Sequence, residues 1–179
     1  MDFFDVVRLR RSIRRYDSRQ VEVDKLRLIL ESARLAPSAR NRQPWRFIVI
    51  TDDDVKRRVY EASRNQKFIL EAPVVIAVVG CPADYVCTNG NIAHMVDIGI
   101  AGEHIALSAT ALGLGSCWIA AFPQEKMKQA LNIPENENAQ VVAIFTIGYP
   151  AEIAEQKSRK QLSEIVNENQ WGADPPEWI

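Results

Sequence analysis

The chain has 179 residues, a length that suits one domain. Hydrophobic residues make up 47% of it and charged residues 25%, proportions that exclude a disordered or fibrous chain. Its 22 basic and 23 acidic side chains leave a formal net charge of -1, which argues against a nucleic-acid binder.

Asp2 to Leu9 reads as a short first helix. Arg8, Arg10, Arg11, Arg14, Arg15 and Arg19 then crowd one stretch, and a local basic cluster on a neutral chain suits a small anionic ligand better than a polyanion. Asp24 to Ala36 carries Leu26, Ile29, Leu30 and Ala33 at helical spacing, with Asp24 placed to cap the helix and Pro37 to end it. Trp45 to Ile50 is aromatic and β-branched, the composition of a buried strand. Thr51 to Asp54 offers caps for a helix reaching about Ser63, with Val55 and Val59 inward. Val74 to Val79 is a second buried strand, entered after Pro73.

Ile92 to Leu112 reads as a long helix rich in Ala and Gly, whose small residues admit another helix at close range, as in a central or interface helix. His94, Asp97, Glu103 and His104 interrupt its apolar run and make it a poor membrane span. Cys117 to Ala120 is a short third strand, Pro123 to Leu131 a helix with Pro in its first turn, and Val141 to Ile147 a fourth strand. The alternation of strands and helices raises a parallel α/β sheet, although the connections vary too much in length to require parallel pairing. The stretch after Pro150 is polar with isolated aromatics. Its end, about residues 163–179 with Trp171 to Ile179 last, either wraps a neighbouring subunit or lies as a loose terminus. No repeat or linker divides the chain, so residues 1–179 are expected to form a single domain.

The familiar catalytic sets are missing. His94 and His104 stand ten residues apart on one helix, a spacing that does not converge on a metal. No GxSxG turn or paired Cys and His is present, and Cys117 at an apolar strand start reads as packing. Gly113-Leu114-Gly115 is not a dinucleotide fingerprint, because Trp118 occupies the third glycine position and the turn follows a helix. Cys81, Cys87 and Cys117 form no disulfide framework, and the start lacks a signal peptide, so a reduced cytoplasmic protein is expected. Three polar clusters remain: Arg10 to Tyr16, whose guanidinium groups suit a phosphate; Pro37 to Trp45, a loop held by two prolines; and Lys157 to Lys160. Each alone also fits an ordinary solvated turn or connection.

Together, RRSIRRY (Arg10–Tyr16), APSARNRQPWRF (Ala36–Phe47), NQKFILEAPVV (Asn65–Val75), DIGIAGEHIALSATALGLGSCWIAAF (Asp97–Phe122) and IGYPAE followed by KSRKQL (Ile147–Leu162) occur in the order seen in one family. The chain resembles the FMN-dependent nitroreductases. That resemblance implies an α+β fold with a mixed central β-sheet flanked by helices, built as an intertwined homodimer with FMN at the subunit interface. It places Arg10, Arg11, Ser12 and Arg14 around the flavin and its phosphate, Pro37, Ser38 and Asn41 along the flavin, and Asn65 near the ring edge. Gly113, Leu114, Gly115 and Ser116 would offer backbone N–H groups to the ring, and Lys157 and Arg159 would close over the phosphate.

The implied activity is ping-pong electron transfer from NADH or NADPH to a small acceptor such as a nitroaromatic or quinone. The flavin does the chemistry, with no catalytic side chain, no metal, no nucleic acid and no membrane involved. Dehalogenating and flavin-cleaving relatives share the scaffold, and a flavin-binding module without turnover is the alternative from another class. At 179 residues the chain is short for the family. Cys81 to Asn91 is its expected variable segment, with Trp118 and Phe122 as candidate pocket residues that core packing explains equally well.

Overall fold

The computed structural model describes residues 1–179. In chain order its helices are α1 (Phe3–Leu9), α2 (Val23–Arg34), α3 (Asp53–Ala62), α4 (Phe68–Glu71), α5 (Ala93–Ala111) and α6 (Gln124–Ala130). The strands are β1 (Trp45–Ile50), β2 (Val74–Gly80), β3 (Gly115–Ile119) and β4 (Gln140–Gly148). The fold is α+β. The sheet order is β1-β2-β4-β3, and every neighbouring pair is antiparallel. The sheet expected to be mixed is antiparallel throughout, and the one parallel pairing is an isolated bridge outside the strands, Ser12 to Ser116, beside the β3 edge.

The parallel α/β arrangement raised by strand–helix alternation is therefore not adopted. Two helices, α3 and α4, fill the β1–β2 connection and return the chain to the end of the sheet it left. β2 and β3, each antiparallel to β4, do run the same way, and the α5 crossover joins them over the intervening strand.

Side-chain alternation along β2 divides the interior into two cores. Val75, Ala77 and Val79 face Val59 of α3, Ile69 of α4 and Met127 of α6. Val74, Ile76 and Val78 face Ile29 and Ala33 of α2 and Ile98, Ala101 and Ile105 of α5. Both inner strands, β2 and β4, are covered on both faces, which explains why they are hydrophobic at successive positions. Gly102 lets α5 sit close to the sheet, since a Cβ there would lie 2.3 Å from Trp118 and 2.8 Å from Phe145.

Local signals set most boundaries. The Asp2 carboxylate accepts from Phe4 N and Asp5 N to cap α1, and Asp52 accepts from Val55 N at 2.9 Å to cap α3. Asp24, expected to cap α2, lies inside its first turn, where its charge suits the helix dipole. The cap position belongs to Glu22. Its carboxylate instead accepts from the Tyr149 hydroxyl and Arg19 and faces Lys25, contacts that hold its pKa down at about 2. Pro123 precedes α6 rather than lying in its first turn. The third strand starts two residues earlier than propensity suggests, because Gly115 and Ser116 pair with Gly148 and Ile147.

No helix is long and apolar enough to cross a membrane. After β4 the chain carries a single short turn of helix, Leu162–Glu164, and Ile153, Trp171 and Trp178 are exposed.

Candidate functional site

The first cluster is placed by a close backbone approach. After α1 the chain runs extended beside β3, where Ile13 N donates to the Ser116 carbonyl at 2.9 Å. Gly115 makes this possible, since a Cβ there would lie 2.6 Å from Ile13 Cγ1. The Tyr16 hydroxyl then ties the segment to β4, bonding the Ile13 carbonyl at 2.8 Å and the Thr146 hydroxyl at 2.7 Å. Burial pushes the Tyr16 phenol well above its ordinary pKa, so it stays a neutral structural link.

With Ile13 turned into the core, its neighbours Arg10, Arg11, Ser12 and Arg14 line a cavity of about 450 Å³. The opposite wall is the segment after β4, with Glu152, Glu155, Lys157 and Arg159. Two clusters far apart in sequence thus meet in one place, and five cations face two carboxylates. Glu152 accepts from Arg14 N at 3.0 Å and holds the walls together. Arg10 Nε lies 3.7 Å from Glu103 on α5, while the Arg159 guanidinium turns back on the carbonyls of Lys157 and Ser158.

A contiguous hollow shares Arg11 and Glu152 with this cavity and is lined by Gly113, Leu114 and Gly115. Gly113 has φ +75°, and it closes α5 with two backbone bonds: Gly113 N to Thr110 O at 3.0 Å and Leu114 N to Ala109 O at 2.8 Å. These two N–H groups are engaged in capping the helix. Gly115 and Ser116 belong to β3.

Pro37 and Ser38 lie elsewhere, in a cavity of about 290 Å³ that shares no lining residue with the basic one. Its walls are the loop after α2, the segment with Cys87 and Asn91, and the α5 face with Val96 and Asp97. No Lys or Arg lines it. The loop is tightly wound, with Arg40, Asn41 and Gln43 at positive φ. Two side chains pin it: Ser38 Oγ accepts from Gln43 N, and Asp97 Oδ1 accepts from Ala39 N, both at 2.9 Å. Asp97 is 3% exposed, and its other oxygen, Oδ2, is buried without a partner.

Asn41 and Asn65 are exposed and line neither cavity. Asn65, at φ +55°, donates its N–H to Tyr60 O in the turn that ends α3. Trp118 packs edge-on against Phe145 at 5.0 Å and Phe122 lies against the core, so neither lines the two cavities. Burial pushes the Cys117 thiol above its ordinary pKa, which leaves it protonated and poorly nucleophilic. No three His, Cys, Asp or Glu side chains gather as a metal site.

Three site residues escaped sequence reasoning: Glu152, Glu155 and Asp97. The carboxylates at 152 and 155 have no sequence signal beyond their nearness to Lys157. Asp97 did have one, an acidic residue among Ala93, Ile98 and Ala101 on the buried side of an apolar helix, where a charge requires a reason.

The model of the nitroreductase family matches residues 7–67 and 61–149 of this chain. A putative NADH dehydrogenase/NAD(P)H nitroreductase of Archaeoglobus fulgidus is 36% identical over 145 residues, covering 79% of this chain and 81% of that protein. A protein of the same description from Methanothermobacter thermautotrophicus is 32% identical, over 85% of this chain and 79% of its own. A solved nitroreductase family protein from Clostridium difficile 630 superposes with a TM-score of 0.85 at 33% identity, over 95% of this chain and 99% of that one. The short length is therefore shared with that member almost end to end. Sequence and fold agree that the chain belongs to the nitroreductase family.

Proposed function

We propose that this chain is an FMN-dependent oxidoreductase that moves electrons from NADH or NADPH to a small acceptor such as a nitroaromatic or quinone, as a cytoplasmic homodimer. The observation that carries this reading is the basic cavity. Its five cations and the Ser12 hydroxyl form a donor set suited to a phosphate monoester, and its volume lies within the roughly 300–1,000 Å³ of small-molecule sites. Arg10, Arg11, Ser12, Arg14, Lys157 and Arg159 hold the phosphate in this reading. When bound, FMN supplies the redox chemistry, taking hydride from the nicotinamide and giving electrons to the acceptor in ping-pong order.

The chain's own part is position and electrostatics. Arginines and a lysine near the cofactor favour its anionic forms, and Gly115 and Ser116 set the backbone beside the ring. Pro37, Ser38 and Asn41 contact the uncharged part of the flavin, with Asn65 at the ring edge. Because the two cavities share no residue, the reading brings them onto one cofactor by pairing two copies. The apolar side chains left exposed on α1 (Phe3, Phe4, Val7) and α5 (Met95, Val96, Ile100) support that pairing. Three free cysteines suit a reducing compartment.

The test is the visible spectrum of the purified chain after adding FMN, recorded anaerobically before and after NADH or NADPH. Flavin bands that bleach with the nicotinamide establish a reducible flavoenzyme. A chain that takes up no FMN overturns the reading.

A further inference from the structure

We propose that Asp97 is a flavin-site residue with its two oxygens assigned to different tasks, a refinement that rests on the FMN reading above. Oδ1 fixes the Pro37–Asn41 loop by accepting from Ala39 N at 2.9 Å. Oδ2 is the acceptor for a neutral donor of the bound cofactor, a hydroxyl or a ring N–H. Three observations converge on this. The carboxylate is 3% exposed, yet Oδ2 has no partner in the folded chain, and a buried unpaired carboxylate oxygen calls for a donor from outside. Asp97 is part of the wall of the 290 Å³ cavity, so a ligand held there lies against its side chain. The cavity holds no Lys or Arg, so it offers no cation to a phosphate, and Asp97 is its one carboxylate, a strong acceptor for an uncharged donor.

The same helix reaches the basic cavity through Glu103, which pairs with Arg10 at 3.7 Å. Six residues separate the two carboxylates, about 9 Å of helix, and α5 is packed between α2 and the sheet. One rigid element therefore references both the loop and the phosphate cluster, and Asp97 is where the loop is attached to it.

Two substitutions separate the tasks. Asp97→Asn keeps an oxygen for Ala39 N and replaces the second acceptor by an amide donor, whereas Asp97→Ala removes both. FMN affinity is read by quenching of flavin fluorescence, and loop order by hydrogen exchange of residues 38–43 in the full-length chain. Asp97→Asn is expected to weaken FMN binding about tenfold, the loss of one hydrogen bond to a charged acceptor, with loop exchange as in the wild type. Asp97→Ala is expected to weaken binding further and to speed exchange at Ala39. An Asp97→Asn protein that binds FMN within about twofold of the wild type overturns the acceptor role and leaves the FMN reading intact. A wild-type chain that takes up no FMN removes both.

Discussion

In the basic cavity the walls are long side chains from segments near the two ends of the chain, with Arg14, Lys157 and Arg159 exposed. In the cavity under the Pro37–Asn41 loop they are backbone, short side chains and one buried carboxylate, with three positive-φ residues holding the curve. The contrast reflects what each is suited to bind. Charge acts over several ångströms and tolerates movement of a guanidinium, so a phosphate cluster needs reach rather than rigidity. Hydrogen bonds to neutral groups weaken steeply with angle, so a subsite for them must be fixed.

The largest expected effect isolates the first cavity. Riboflavin, which lacks the phosphate, should bind about a thousandfold more weakly than FMN, since several charge-assisted hydrogen bonds are lost together. Arg10→Ala combined with Arg159→Ala should lower FMN affinity by about a hundredfold and leave riboflavin affinity nearly unchanged. Equal losses for both ligands would show that the arginines shape the site generally, and the division between the cavities would fail.

A packing change probes how the basic cavity is built. Gly115→Ala places a Cβ against Ile13 and must push the Arg10–Arg14 segment from β3, at a cost of about 1–3 kcal/mol for overpacking. Chemical denaturation should show that loss, with FMN weakened and hydrogen exchange in the 38–43 loop unaltered. Increased exchange in the loop would mean that the cavities are mechanically coupled.

How much of this was legible in the sequence follows the same division. β1 matched its expected range residue for residue, because WRFIVI is a continuous aromatic and β-branched run. α5 was found to within one residue at each end through its sustained apolar character. α4 was missed, since a four-residue helix spans about one turn and shows no period. Gly115 and Ser116 were missed as strand because their place in β3 comes from pairing with β4 and from Ile13 overhead, which local propensity does not encode. The arginine clusters were visible as types and spacing, and the family resemblance implied that Arg10 and Arg159 serve one phosphate, but composition and spacing alone do not bring them to one cavity. The two jobs of Asp97 depend on which backbone N–H lies beside it, and that is a property of tertiary packing alone.

Thiol chemistry offers a smaller contrast between the regions. Cys87 is half-buried and lines the loop cavity, whereas Cys117 is buried beneath the Ser12–Ile13 segment, with its pKa raised by that burial. A thiol whose pKa is raised holds less thiolate at any given pH, and Cys117 is also buried at 2% exposure, so it should resist alkylation on both counts. Iodoacetamide followed by peptide mass mapping should label Cys87 first, and saturating FMN should slow that labelling severalfold. Labelling of Cys87 at the same rate with and without FMN would place the cofactor away from the loop cavity.

The smallest effect is expected at Ser38, where a single atom is removed from the rigid side of the comparison. Its hydroxyl accepts from Gln43 N at 2.9 Å, and Gln43 sits at φ +51°, a conformation a non-glycine residue adopts only when held. Ser38→Ala frees that N–H to solvent, and because the loop rim is exposed, water replaces most of what is lost. The expected cost is about 1 kcal/mol of local stability and a change in FMN affinity of about fivefold or less, since Asp97 still anchors the loop one residue away. Combining Ser38→Ala with Asp97→Asn then tests whether the two pins act together. If each holds the loop independently, the two losses in FMN binding multiply. A double variant no worse than Asp97→Asn alone would show that Asp97 dominates and that the serine serves only the turn in which it lies.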